Sequence, residues 1–493
     1  MGSSLLLFLV LLFPVLLSLF WRSRKQTNLP PGPRPWPAIG NIPHLMLRQA
    51  VTGQRLHASL AAIAEDYGPL IYLRLGAREL VVASSPSAAA QVLKTNDRVL
   101  CARYVPAAYR VPIYADHSLI WHARCDDNWR SLRTIFRADL LSSPSLARHA
   151  PARERKAGEM ARFLLSRAGK EVKIGKVIFI TFFNMVGNII FSRDVLSLEE
   201  GKGWFPELKS HMARMLELAV VPCIEDFFPG MTGGFDLDGL KHQVQTYLEK
   251  LYGIWDEIMM QRSEETQDKD FTKMLLDHGI RDNQLKALIL DIFTAGSDTS
   301  AALAEWIMSE LVRSPDVMKR VREELIQVMG PPPTGDHTHL ARLTYLHACI
   351  KEALRLHPPA PLLLPRCAID TCEIMSYTIP KNCTIMVNAW AIGRNPEIWK
   401  DPLSFSPERF LNCSVDYKGI DFEFVPFGGG MRACPGISMG VRVYQLVVAT
   451  MVHNFDWLLP GGKQRSELNM DEKLGLVLER KQPLVLIPKP LVG

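Results

Sequence analysis

The apolar positions of this chain fall into three regimes. From Gly2 to Trp21 they form one uncharged, leucine-rich run that ends at Arg22, Arg24 and Lys25. About 20 apolar residues suffice to cross a bilayer as a helix, and basic residues on the C-terminal flank hold that flank in the cytosol. A cleaved secretory signal carries its charges before the apolar run and small residues at its end. Here the order is reversed, so residues 1–25 are read as a retained transmembrane anchor. Next come Pro30, Pro31, Pro33, Pro35 and Pro37, spaced closely enough to predict an extended, semi-rigid hinge over residues 26–40.

The third regime, residues 41–493, is mostly helical in period. Leu70 to Leu75 and Glu79 to Ala83 read as two short strands around Gly76. A long helical pattern runs from about Asn283 to Arg313 and is stopped by Ser314-Pro315; another runs from about Ile437 to Phe455. Val195 to Gly239, with Asp226-Phe-Phe-Pro229-Gly230 and Gly233-Gly234, is less regular and predicts a flexible, apolar-lined connection. No low-complexity linker or internal repeat divides this regime. The expected class is therefore mainly α with small β-sheets, in one catalytic domain behind the anchor.

Composition narrows the function classes. With 47% hydrophobic and 22% charged residues among 493, the chain can build a large core. A net charge of +6 permits an acidic protein partner or anionic lipid but gives no sign of nucleic-acid binding. The nine cysteines are odd in number and form no Cys-x-x-Cys pair, which argues for reduced thiols in a reducing compartment. In that setting the sequons at Asn382 and Asn412 are idle.

One segment carries most of the candidate chemistry: Phe427-Gly-Gly-Gly430-Met-Arg432-Ala-Cys434-Pro-Gly436. It sets a cysteine in a glycine loop at the start of a long apolar helix, whose positive end favours an ionised sulfur. Gly430 and Gly436 allow backbone angles, and close approach to a flat ligand, that a side chain blocks. Arg432 offers a fixed fork of donors suited to a buried carboxylate. In the middle of the long helix, Ala295-Gly296-Ser297-Asp298-Thr299-Ser300 is a polar interruption that propensity disfavours. A threonine hydroxyl bonded to the carbonyl four residues earlier loosens a helix. The resulting space, with a carboxylate beside an alcohol, suits dioxygen, water and delivered protons.

Glu352 and Arg355 lie three apart in Lys351-Glu-Ala-Leu-Arg-Leu-His357, on one helix face, and Pro407-Glu-Arg409-Phe410 follows. Trp129 and Arg133 are four apart and share a face. Together these segments resemble, in order, the signatures of the cytochrome P450 family: Trp-x-x-x-Arg, the acid–alcohol helix motif, Glu-x-x-Arg, Pro-Glu-Arg-Phe and Phe-x-x-Gly-x-Arg-x-Cys-x-Gly. The chain is similar to the plant microsomal group, and within it to subfamilies acting on alkaloids and terpenoids. Met431 departs from that group, which usually carries a second arginine there.

The resemblance implies a P450 fold and a haem b (iron protoporphyrin IX) ligated by Cys434, the thiolate favouring O–O cleavage. Phe427, Gly430, Arg432 and Gly436 form its loop; Trp129, Arg133 and Arg366 contact its propionates. Asp298 and Thr299 form the proton path, and Glu352, Arg355 and Arg409 a buried structural cluster. Substrate-facing candidates are Tyr109 to Trp121, Phe293, Ala295, Ala360, Leu362 to Leu364 and Leu476, with Val195 to Gly239 forming a lid that dips towards the membrane. The implied activity is hydroxylation or demethylation of a small apolar plant metabolite at the endoplasmic reticulum. It uses O2 and electrons from NADPH, delivered by a P450 reductase. Phenol coupling or rearrangement on the same haem is the alternative reaction, and a haem protein that binds without oxygenating is the alternative class.

Overall fold

The computed structural model describes residues 28–52, 55–199, 207–261, 270–331 and 337–491. The expected anchor lies outside these residues. The hinge is described from Asn28 onwards, and it is not a free spacer. The Tyr72 N–H donates to the Pro31 carbonyl (2.9 Å), and the Asn41 side-chain amide to the Pro33 carbonyl (2.9 Å). At Gly32 a Cβ would fall 2.1 Å from the Tyr72 carbonyl oxygen, so only glycine lets the chain lie this close. The prolines keep the segment extended, and the first strand seats it.

That strand, Leu70–Leu75, pairs antiparallel with Arg78–Ala83, one residue longer than predicted, through a turn at Gly76 (φ +64°). The sheet continues with Thr384–Val387, Arg366–Cys367 and Ala102–Arg103. Three smaller sheets complete the β content among the described residues. In one of them, Glu472–Leu474 and Leu478–Arg480 form a hairpin whose connecting residues include Leu476.

The rest is helical, as the periodicity predicts. Asp282–Arg313 begins one residue before the expected start and ends where Pro315 opens the next helix. It packs along Ile174–Phe191, a helix with sixteen of its eighteen residues buried. Both helices are long and apolar enough to cross a membrane, but their most apolar windows are 67% and 89% buried inside the protein. They are the core. Ile437–Asn454 crosses behind the central helix and brings the cysteine loop to it.

The polar interruption does not widen the central helix. Thr299 does donate to the Ala295 carbonyl, yet α geometry runs unbroken through the turn. Nor is Val195 to Gly239 irregular throughout. Leu208–Leu218 buries Leu208, Met212, Met215 and Leu218 at helical spacing, and two single-turn helices, Ile224–Phe227 and Pro229–Thr232, follow. The glycines and Pro229 limit the later helices to one turn each without abolishing them.

Candidate active site

The cysteine loop is closed by its own backbone. The Cys434 N–H donates to the Phe427 carbonyl (2.9 Å), and Gly430–Arg432 makes one tight turn. Gly428 and Gly430 both have φ +67°, where side chains are strained. At Gly430 a Cβ would also lie 2.4 Å from the Asp97 carboxyl atoms. Asp97 is the hub here, accepting from the Met431 N–H (2.7 Å) and from Arg366 Nη1 (2.7 Å). Gly430 is therefore required for the approach of a protein carboxylate. Gly436 has ordinary angles (φ −84°, ψ 8°), and a Cβ there would make only a 3.8 Å contact with Cys434 Sγ.

Cys434 lines a cavity of about 380 Å³, within the size range of small-molecule sites. Thr299, Ala295, Gly296, Asp291, Leu476, Ala360, Leu363 and Leu364 also line it, together with Phe427, Gly436, Trp129, Arg133, Arg366 and Arg432. Of the Tyr109–Trp121 segment, Tyr109, Tyr114, Leu119, Ile120 and Trp121 reach it. Outside that segment, two of the expected substrate-facing residues do not. Phe293 is stacked in the core on Phe183 (4.5 Å) and Trp255 (5.0 Å), and Leu362 packs against the sheet side. Phe136, Phe182, Met439 and Val443, which sequence reasoning missed, are among the residues that add to the apolar wall.

Desolvation pushes the Cys434 thiol up, while the Gly436 N–H and Arg133 pull it down without prevailing. The helix terminus alone does not offset that burial, and a cation on the cavity side would favour the thiolate. Among the described residues no group of three or more His, Cys, Asp or Glu side chains gathers to hold a bare metal ion. A single sulfur donor suits a metal that brings its other ligands with it.

The guanidinium groups around this sulfur form a second test of fit. Arg103, Arg133, Arg366 and Arg432 all line the cavity. Of them Arg366 is paired with a carboxylate, Asp97; the others bond backbone carbonyls. Arg432 Nε donates to Cys101 O (2.9 Å) and Nη2 to His122 O (2.7 Å), but its Nη1 is buried without a partner. An excess of buried positive charge with an orphaned donor fits a ligand with two carboxylates, as haem carries. Burial and the neighbouring Arg432 and Arg366 hold Arg103 well below the usual guanidinium range. No motif marks Arg103; its signal is the antiparallel pairing Arg103↔Arg366, which puts it beside a predicted ligand. The expectation for Trp129 needs correction. Its indole N–H donates to the Leu119 carbonyl (3.0 Å), and its ring lies beneath the Arg432 guanidinium (4.4 Å), so it supports the arginine.

Asp298 and Thr299 part company. Thr299 lines the cavity, whereas Asp298 does not. Burial and the nearby Glu479 push the Asp298 carboxyl up to about 7, with Lys209 opposing, and one of its oxygens is buried without a partner. The pair thus bridges the cavity side of the helix and a second, charged side.

The Glu-x-x-Arg cluster assembles as expected. Arg355 makes a bidentate bond to Glu352 (2.8 and 2.7 Å) and reaches the carbonyls of Gly393, Pro402 and Ser404. Arg409 Nε adds a third contact to Glu352 (2.9 Å). Glu352 and Arg355 are fully buried, so removing one strands the other's charge. Glu352→Gln is expected to lower folding stability by roughly 3–5 kcal/mol, read by thermal unfolding of the haem-loaded protein. Wild-type stability in this variant would show that the cluster is expendable.

Comparison with known proteins agrees with this geometry. The Cytochrome P450 family model matches residues 30–487. The chain is 46% identical to probable (S)-N-methylcoclaurine 3'-hydroxylase isozyme 2 of Coptis japonica, over 97% of each chain. It is 44% identical to (S)-N-methylcoclaurine 3'-hydroxylase isozyme 1 of Papaver somniferum, over 96% of this chain and 97% of that one. Corytuberine synthase of Coptis japonica is 42% identical over 94% and 95%. A lone cysteine under an apolar cavity, rimmed by arginines and faced by an alcohol, in a chain matched from hinge to last strand, belongs to the cytochrome P450 family of haem-thiolate monooxygenases.

Proposed function

We propose that this enzyme is anchored in the endoplasmic reticulum membrane with its catalytic domain in the cytosol, where it hydroxylates an alkaloid-type plant metabolite using electrons from a P450 reductase. The observation that carries this reading is the cavity itself. Away from the arginines its wall is mostly aliphatic and aromatic, with Tyr109, Trp121, Phe136 and Phe182 among the lining rings. Such a wall binds a flat, largely apolar molecule and excludes water from the reaction.

When bound, haem supplies the redox chemistry that places one atom of dioxygen in a C–H bond. Cys434 would hold its iron, and Arg133, Arg366 and Arg432, joined by Arg103, would hold its propionates. Thr299 presents an alcohol to the cavity, and Asp298 holds a proton behind it. Relatives named as hydroxylases of N-methylcoclaurine support an alkaloid of that kind as substrate. A relative named as a synthase supports the second reading, oxidative coupling or rearrangement without oxygen retained.

The test is turnover of (S)-N-methylcoclaurine by microsomes containing this chain and a plant reductase, with NADPH and isotopically labelled dioxygen. A product carrying one labelled oxygen is expected. A product that has lost two hydrogens without label favours coupling, and no substrate-dependent product overturns the substrate class.

The membrane reading has its own support. Val220, Val221, Ile224, Met231, Phe235 and Leu237 are exposed, as are Trp36, Ile39, Met46 and Leu47. Both segments attach to the Gly76 turn: the Gly76 N–H donates to Ile39 O, and the Ala77 N–H to Phe227 O. Removing residues before Leu29 is therefore expected to release much of the protein from membranes, yet leave a salt-resistant bound fraction. Complete release, measured by sedimentation with vesicles, would refute a membrane role for this apolar face.

A further inference from the structure

We propose that Asp291 is a specificity-determining positioning residue, whose carboxylate clamps the 114–120 loop against the central helix as the roof over the substrate. Asp291 interrupts the apolar run Leu288-Ile-Leu-Asp-Ile-Phe293, where an unpartnered carboxylate would be costly. It lies two turns before Thr299, and Asp291, Ala295 and Thr299 form one stripe that lines the cavity.

Four donors converge on it, all from one loop. The Tyr114 hydroxyl donates to Oδ1 (2.7 Å), and the Ser118 hydroxyl lies 2.8 Å from Oδ2. The N–H groups of Leu119 (2.6 Å) and Ile120 (3.1 Å) both donate to Oδ2. A carboxylate offers about four acceptor sites, so the set is filled and none is left for substrate. The titratable groups facing it are tyrosines, Tyr114 and Tyr109 from the loop side and Tyr252 from the helix Leu240–Met260. None of its hydrogen bonds or ion pairs among the described residues involves a lysine, arginine or histidine. Burial pushes the carboxyl up to about 6, which still leaves it mainly ionised at neutral pH. Only the loop offsets the cost of burying this charge, so helix and loop hold or release each other together.

The clamp reaches further through its donors. Ser118 Oγ accepts from the Ile120 and Trp121 N–H groups (3.1 and 2.9 Å), and Leu119 O accepts from the Trp129 indole. The loop thereby fixes Leu119, Ile120 and Trp121, whose side chains line the cavity together with Tyr114. Asp291 acts on substrate through these side chains, while the chemistry at Cys434 and Thr299 is set elsewhere.

The test uses the full-length, haem-loaded enzyme in membranes with reductase, comparing wild type with Asp291→Asn, Ser118→Ala and Tyr114→Phe. Hydrogen bonds to a charged group contribute about 1.5–3 kcal/mol, a factor of roughly 10 or more. Amide exchange in residues 114–121 is therefore expected to speed up about tenfold in Asp291→Asn and less in the other two, with Ile174–Phe191 unchanged. With (S)-N-methylcoclaurine as probe, KM should rise about tenfold and kcat stay within about twofold. Wild-type exchange in all variants, exchange loosened equally throughout, or a loss confined to kcat would each overturn the proposal. If Asp291→Asn does not fold, the two single-donor variants decide it by the same readouts. The kinetic arm rests on the substrate reading above; the exchange arm does not, so failure of the probe leaves the clamp still decided by exchange.

Discussion

Cys434→Ala is expected to abolish the red-shifted carbon monoxide difference band of the reduced protein and with it all turnover. The band reports a thiolate on iron, and among the nine cysteines Cys434 is the one that lines the cavity. Cys101 and Cys125 are the nearest rivals, because Arg432 donates to the Cys101 carbonyl and lies beside the Cys125 thiol, but both are buried behind that arginine rather than in the cavity wall. Cys413→Ala serves as the control and should leave the band intact. A Cys434→Ala protein that kept the band would move the ligand elsewhere and remove the basis of the site. The same variant tests the charge argument. Desolvation raises the thiol, and a cation facing the sulfur would bring it down. Thiol-directed reagents should accordingly react slowly with Cys434 in haem-free protein at neutral pH.

Much of this was legible in the sequence, and for identifiable reasons. Motifs whose partners lie a few residues apart were readable, because helix geometry puts Glu352 beside Arg355 whatever surrounds them. The cysteine loop was readable because its glycines and proline dictate a turn. What stayed hidden depends on contacts distant in sequence. Arg103 enters the arginine cluster only because its strand pairs with the one carrying Arg366, 263 residues later. Asp97, the hub of the cysteine loop, lies 334 residues from Met431 in the hydrogen bond they share. Phe293 was misplaced because a phenylalanine two residues from Ala295 reads as cavity-facing in a string, while 100° per residue turns it into the core. The stripe 291, 295, 299 was available to the same reading and would have found Asp291.

The division between Thr299 and Asp298 gives the second large expectation. Thr299 lines the cavity and donates to Ala295 O, leaving its oxygen lone pairs as acceptors. Asp298 is half-buried on the other side, with one oxygen enclosed, and poised near neutrality, pushed up to about 7. A carboxyl at that value can take a proton from solvent and pass it on at physiological pH, which an ordinary aspartate cannot. Thr299→Ala should therefore still bind substrate and consume NADPH, with much of the oxygen leaving as hydrogen peroxide instead of product. Asp298→Asn should slow turnover by roughly a hundred-fold, the scale of general acid–base catalysis, without that diversion. The pH profiles separate the two roles. Asp298 is protonated below about 7, so wild-type kcat should fall as pH rises through that value, and Asp298→Asn should flatten this limb. The sign for stability is the same. With its folded value above the unfolded one, Asp298 binds its proton more tightly in the folded state, so it costs stability as pH rises from about 4 to 7. Wild-type product yield per NADPH in Thr299→Ala would mean that water alone carries the proton. An unshifted pH limb in Asp298→Asn would assign that limb to another group, Glu479 being another carboxyl raised on that side.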